Sequence, residues 1–145
     1  MKAELAGPLF ELHIVSAQAE LFGGPIERVI LPAEHGELCL LPRHAPLLAR
    51  LRPGEVRYHD ENGWTYLFLE GGFVEAQPHE VTVLADTVLR AEEIDAEAAA
   101  AAVRAANDHI RHARLPYDQR LAEAELLRAL AMLQVVEKVR HKIQR

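Results

Sequence analysis

Few side chains in this 145-residue sequence are of types and spacings that could do chemistry. Ser16 is the only serine, and it stands at the end of a strand-like run with no Gly-x-Ser-x-Gly turn around it, so nucleophilic hydrolysis has no support. Cys39 is the only cysteine, which excludes an internal disulfide and a cysteine-based zinc site; a small buried hydrophobe is the expected role. His109 and His112 are three apart on a helix-like segment, but no Glu or third ligand is patterned with them as in His-Glu-x-x-His. They read as solvated helix-end groups. His35, Glu37 and His44 offer the one other set: two imidazoles and a carboxylate on a β scaffold could converge on a metal ion, giving a metal-dependent β-fold enzyme as an alternative reading. No glycine-rich stretch is a nucleotide loop, since Gly-x-x-x-x-Gly-Lys-Ser/Thr is absent and Gly71-Gly72 leads into a strand-like segment rather than a helix.

The elements that must position these groups change character near residue 90. Segments 9–15, 26–31, 37–41, 47–51, 55–59, 64–70, 73–77 and 80–85 are short, strand-like and bounded by Gly, Pro or Asn, which predicts a β-sandwich or barrel. Gly23-Gly24-Pro25, Pro53-Gly54, Asn62-Gly63 and Gly71-Gly72 read as turns, with Asp60 to Gly63 as a hairpin tip. In 64–70, Trp64, Tyr66 and Phe68 share one face and Thr65, Leu67 and Leu69 the other. Both faces are apolar, so this strand is expected to be central or to lie under a partner. Between Gly36 and Leu48, Pro42 and Pro46 stiffen a loop that carries Arg43 and His44 beyond a buried run, with Glu37 before it.

From Ala91 the apolar period lengthens to that of helices. Asp95 is the expected N-cap of an alanine-rich helix reaching about His112; Leu115-Pro116 breaks it, and a second helix is expected from about Asp118 to Lys142. Leu126, Leu130 and Leu133 form one stripe of that helix, and Leu127, Ala131, Val135 and Val139 an adjacent one. The two make an antiparallel hairpin. Only Val103 and Ile110 are large and apolar in the first helix, so it should form readily yet dock weakly. The fold class is therefore α+β: an N-terminal β-sandwich, 1–90, followed by a C-terminal antiparallel α-helical hairpin, 91–145.

Charge divides the same way. Residues 1–90 hold 7 Lys and Arg against 13 Asp and Glu, and 91–145 hold 9 against 9, so the formal charge of -6 sits in the first part. An acidic sandwich argues against nucleic acid as a partner. No run of eighteen uncharged apolar residues is present, so direct membrane insertion is not expected, and Glu4 and Glu11 interrupt any signal-peptide core. Lys138, Arg140, Lys142 and Arg145 end the chain with no acid after Glu137, enough to match a helix dipole or to grip an acidic surface.

Several stretches occur in the order of one family. Gly36-Glu37-Leu38 followed by Leu41-Pro42-Arg43-His44-Ala45-Pro46-Leu47-Leu48, with Val15-Ser16-Ala17, Gly71-Gly72-Phe73-Val74-Glu75 and Val81-Thr82-Val83-Leu84-Ala85-Asp86, resembles the epsilon subunit of bacterial F-type ATP synthases, counterpart of the mitochondrial delta subunit. The resemblance spans essentially the whole chain. It implies a non-catalytic central-stalk subunit of a proton-translocating synthase, with no cofactor, peripheral on the cytoplasmic face of the inner (plasma) membrane. The sandwich would join the gamma subunit to the membrane rotor ring of c subunits, with Glu37, Arg43 and His44 at the ring and the foot of gamma. The hairpin, when extended, would reach the alpha/beta catalytic head and inhibit hydrolysis, with Arg128, Lys138, Arg140 and Lys142 facing it. A free-standing adaptor whose hairpin binds another helix is the remaining alternative.

Some relatives bind ATP through an Ile/Leu-Asp-x-x-Arg-Ala motif with further arginines on the second helix. Ile94 and Asp95 keep that pattern, but Ala98 stands where the arginine belongs; Arg128 is retained and Met132 occupies the later position. Loss of a guanidinium from a phosphate site removes a strong charge-assisted contact, so weak or no ATP binding is expected. Cys39 and Arg43 also depart from the family, both standing where relatives commonly have Gly.

Overall fold

The computed structural model describes residues 7–144, with side chains described through residue 141. Eight strands, β1 (Phe10–Ser16), β2 (Glu20–Ile26), β3 (Arg28–Ala33), β4 (Gly36–Leu40), β5 (Leu47–Asp60), β6 (Gly63–Gln77), β7 (Glu80–Ala85) and β8 (Val88–Arg90), form one sheet. Its order is β2-β1-β7-β6-β5-β3-β4, with β8 against β6. All pairs are antiparallel except β1 with β7. A short 3-10 turn, Ala91–Glu93, leads to helices α1 (Ala96–His112) and α2 (Pro116–Gln144).

The sheet folds over on itself because its two longest strands change phase halfway. In β6 the inward residues are Leu67 and Leu69 before Gly71-Gly72 but Val74 and Ala76 after it; in β5 they are Leu51 before Pro53-Gly54 but Val56 and Tyr58 after it. A side-chain period of two cannot change phase without an irregularity, and the pairing passes from Leu51↔Gly72 to Pro53↔Glu70, skipping Arg52 and Gly71. Gly71 and Gly72 have φ of 108 and 136, which only glycine adopts readily. Leu12, Ile14, Val81 and Val83 of one half thereby meet Val29, Leu31, Val56 and Tyr58 of the other in a single core. The Phe22 and Tyr58 rings pack across the layers, centroids 4.3 Å apart.

Three expected turns are therefore corrected. Pro53-Gly54 and Gly71-Gly72 are bends inside continuous strands, and Gly23-Gly24-Pro25 lies within β2. Strand β2 pairs only with β1, and an edge is where a sheet tolerates proline. The hairpin tip at Asn62-Gly63 forms as expected: Gly63 has φ 93, and Asn62 N–H donates to Asp60 Oδ1 at 2.8 Å.

Asp95 caps α1, accepting from Ala98 N–H at 3.0 Å, and Pro116 opens α2, where its missing donor costs nothing. The helices pack through alanine, with Ala99 and Ala106 of α1 and Ala122 and Ala129 of α2 all buried. The hairpin docks on the sandwich through α2: Ala131 and Val135 cover Phe68, with Tyr66, Leu89, Ile94 and Met132 around them. Phe68 is fully buried under this partner, and Leu67 and Leu69 fill the sandwich core. Leucine does less than its two stripes suggested, for Leu127 and Leu130 stay exposed and Ala131, Val135 and Val136 make the buried face.

Candidate functional site

Strand β4 is an edge strand whose inward residues are Leu38 and Leu40. Glu37 and Cys39 alternate to the outer face. Cys39 is exposed, not the buried hydrophobe expected, because it alternates with the inward Leu38 and Leu40. Glu37 receives both terminal nitrogens of Arg57, at 3.3 and 3.2 Å, and Arg57 also donates to Glu55 at 2.9 Å. In the loop after β4, Arg43 is the only described non-glycine residue with positive φ, 63; its side chain is exposed, and its N–H donates to Pro78 C=O at 3.0 Å. His44 is half-buried, with its ring edge-on to Phe10 at 5.7 Å. Its Nδ1 lies 3.2 Å from Ala45 C=O, so the imidazole is turned partly into the sandwich rather than displayed on the loop.

His35 is exposed in the β3–β4 turn and does not join Glu37 and His44: among the described residues no three His, Cys, Asp or Glu side chains are grouped to hold a metal ion. His109 lies 3.6 Å from Glu125 across the two helices, and His112 bonds to Asp108 C=O one turn back.

Two of the cations expected on α2 are paired with the sandwich. Arg128 Nε pairs with Glu70 of β6, and Lys138 Nζ lies 2.6 Å from Glu55 Oε1 and 5.5 Å from the Tyr66 ring centroid. Glu55 is deeply buried, its side chain only 7% exposed. Arg140 is exposed, and the side chain of Lys142 lies outside the described residues. Sequence reading missed Glu55 and Glu70 as acceptors; no local signal marks them, since they become partners only when a helix more than fifty residues away lands on them.

Ile94, Asp95, Ala98, Arg128 and Met132, the positions singled out for a nucleotide, do line one cavity of about 460 Å3. Glu93 and Glu125 line it too, and its one cation, Arg128, is already paired with Glu70. That lining offers a phosphate carboxylates and no cation that is not already paired.

On the opposite layer, two outward rows cross β5, β6, β7 and β1 in register: Arg50-Phe73-Leu84-Val15 and Leu48-Glu75-Thr82-His13. Leu48 is 73% exposed, Leu84 52% and Phe73 45%. The sequence carried a signal for this face, since Phe73 alternates in phase with Glu75 and Gln77, and Leu84 with Thr82 and Glu80. In the same rows His13 lies 2.8 Å from Glu20 and 3.5 Å from Glu80. The hydrogen bond to Glu20 raises its pKa above the ordinary 6.5 against a smaller lowering by burial, helped by the charges of Glu20, Glu80 and Glu11.

The fold is a phase-shifted β-sandwich carrying a docked helical hairpin, with an exposed apolar strip on its far layer. Residues 9–91 match the family "ATP synthase, Delta/Epsilon chain, beta-sandwich domain". ATP synthase epsilon chains are close relatives: that of Alkalilimnicola ehrlichii is 44% identical over 92% of this chain and 96% of its own, and that of Nitrosococcus oceani 44% over 91% and 95%. The epsilon chain of Halorhodospira halophila is 43% identical over 93% and 97%. The chain belongs to the ATP synthase epsilon family. Its fold also matches a chain of the Euglena gracilis mitochondrial ATP synthase OSCP/F1/c-ring structure, with a TM-score of 0.73 at 19% identity over 96% of this chain and 88% of that one. A chain of the Tetrahymena thermophila mitochondrial ATP synthase central stalk and c-ring structure gives 0.60 at 13% identity, over 94% and 99%.

Proposed function

We propose that this chain is a rotor subunit of the synthase's central stalk, with residues 1–90 as anchor and 91–145 as a regulatory hairpin. The sandwich binds gamma and rests on the ring of c subunits, with Glu37, Arg43 and His44 at the ring and the foot of gamma; the whole is peripheral on the cytoplasmic face of the membrane. The rows around Phe73 and Leu84 fit the stalk contact, because an apolar strip of this kind, rimmed by Arg50 and Glu75, suits a protein partner. Among the described residues no helix is long and apolar enough to cross a membrane.

One observation carries the regulatory half. Arg128 and Lys138, two of the cations expected to face the catalytic head, are held by the sandwich's own Glu70 and Glu55. Docked and head-bound states then compete for the same charges, and the hairpin inhibits hydrolysis only after it lets go. The acidic lining of the nucleotide-like cavity favours a hairpin whose position ATP does not control.

The assignment is tested by expressing the tagged full chain with the other subunits of the synthase. Co-elution with gamma and the ring is expected, with loss of gamma from the Phe73→Asp, Leu84→Asp double variant while its circular dichroism stays native. A wild-type chain that elutes alone beside an intact complex would contradict the rotor assignment.

A further inference from the structure

The hairpin's buried anchor and the outward carboxylate of β4 belong to one line of charges. Glu37 on β4, Arg57 and Glu55 on β5, and Lys138 on α2 alternate in sign, with contacts of 3.2 Å (Glu37–Arg57), 2.9 Å (Arg57–Glu55) and 2.6 Å (Glu55–Lys138). Glu37, Glu55, Arg57 and Lys138 line a single groove of about 260 Å3 between α2 and the sandwich, into which Arg52 also faces. The two carboxylates differ in access. The Glu37 side chain is 58% exposed, whereas Glu55 is almost wholly covered and its Oε2 accepts no hydrogen bond from the protein.

We propose that these four residues form an ionic relay that loosens the hairpin when a cationic group of a partner takes Glu37. The proposal rests on the reading that β4 faces the rotor. Arg57 divides its guanidinium: NH1 serves both carboxylates, while NH2 is spent on Glu37 alone. Once Glu37 is engaged elsewhere, NH2 is free to turn to the unsatisfied Glu55 Oε2, converting a single contact into the two-pronged pairing that suits arginine and carboxylate. Glu55 is then neutralised without Lys138. The charge count agrees: with the hairpin docked, two carboxylates face two relay cations, but with Glu37 neutralised one carboxylate faces two, and departure of Lys138 removes the surplus. Arg52 adds to that surplus. The device therefore joins contact at the sandwich edge to the position of the regulatory helices, and it needs no change in the sandwich backbone.

The relay is read in the isolated full chain by electron–electron distance measurement, with spin labels at Asn62→Cys on the β5–β6 turn and Ala124→Cys on α2, in a Cys39→Ala background. Variants are compared at one salt concentration at which the unsubstituted relay shows both docked and undocked distances. Glu37→Gln is expected to raise the undocked-to-docked ratio about fivefold, the scale of one partly exposed ion pair. In a Lys138→Met background the same change is expected to have almost no effect. Arg57→Met supplies the opposite sign, since it leaves both carboxylates to Lys138 and should tighten docking, where simple damage to the sandwich would loosen it. Equal effects of Glu37→Gln with and without Lys138, or a looser hairpin in Arg57→Met, would overturn the relay. Co-elution with the synthase is a separate readout: a failed cycle in a chain that still assembles removes the relay alone, and a chain that does not assemble removes the rotor reading whatever the cycle shows.

Discussion

Arg43 shows how a single residue can carry a backbone constraint in an ill-suited side chain. Its φ of 63 places it where a Cβ is strained. Arg43→Gly should raise stability by about 0.5 kcal/mol, relief of left-handed strain exceeding the extra unfolded-state entropy of glycine; urea denaturation would show a higher midpoint at unchanged slope. His13 makes the pH-dependent contribution at this scale. Its folded pKa is raised above the ordinary 6.5, so its stabilising effect is fully present below 6.5 and disappears as pH rises through the folded value. An NMR titration should place His13 above 6.5, and Glu20→Gln should bring it down; a titration at or below 6.5 in the unsubstituted chain would contradict the pairing.

At the scale of elements, the fold rests on a bend and a landing face that fail differently. A Cβ on Gly72 would come within 2.0 Å of Leu84 C=O in β7, so Gly72→Ala should cost about 3 kcal/mol or more and unfold the sandwich and hairpin together. Phe68→Ala should cost about 3 kcal/mol as well, but mainly at the hairpin, because Phe68 packs under Ala131 and Val135 while its neighbours Leu67 and Leu69 fill the core. Hydrogen exchange separates them: Gly72→Ala lowers protection in β1 and β7, Phe68→Ala in α2 first. The same two residues mark how far the sequence could be read. Phe68 was legible, since apolar residues on both faces of 64–70 can only mean a covered strand. Gly72 was misread because a Gly pair that flips the phase of a continuous strand has the same local composition as one that ends it, and only the carbonyl of a strand distant in sequence decides between them. Asp95 as the cap of α1 followed from local helix chemistry. The ion pairs of α2 did not, because Glu55 and Glu70 find their cations through tertiary docking alone.

At the scale of the whole molecule, two bodies share charges. The sandwich has a continuous core of its own, whereas the hairpin adds to it a small apolar contact and the pairs Arg128–Glu70 and Lys138–Glu55. A docking of that kind weakens with salt and can be exchanged for another acidic surface without unfolding either body. The most direct test compares ATP hydrolysis by the assembled catalytic head carrying the full chain with that of the head carrying a chain truncated before Ala91. Faster hydrolysis is expected with the truncated chain, with stalk binding retained through its sandwich. Equal rates with normal binding would contradict an inhibitory hairpin, and failure of both chains to bind would contradict the rotor assignment itself.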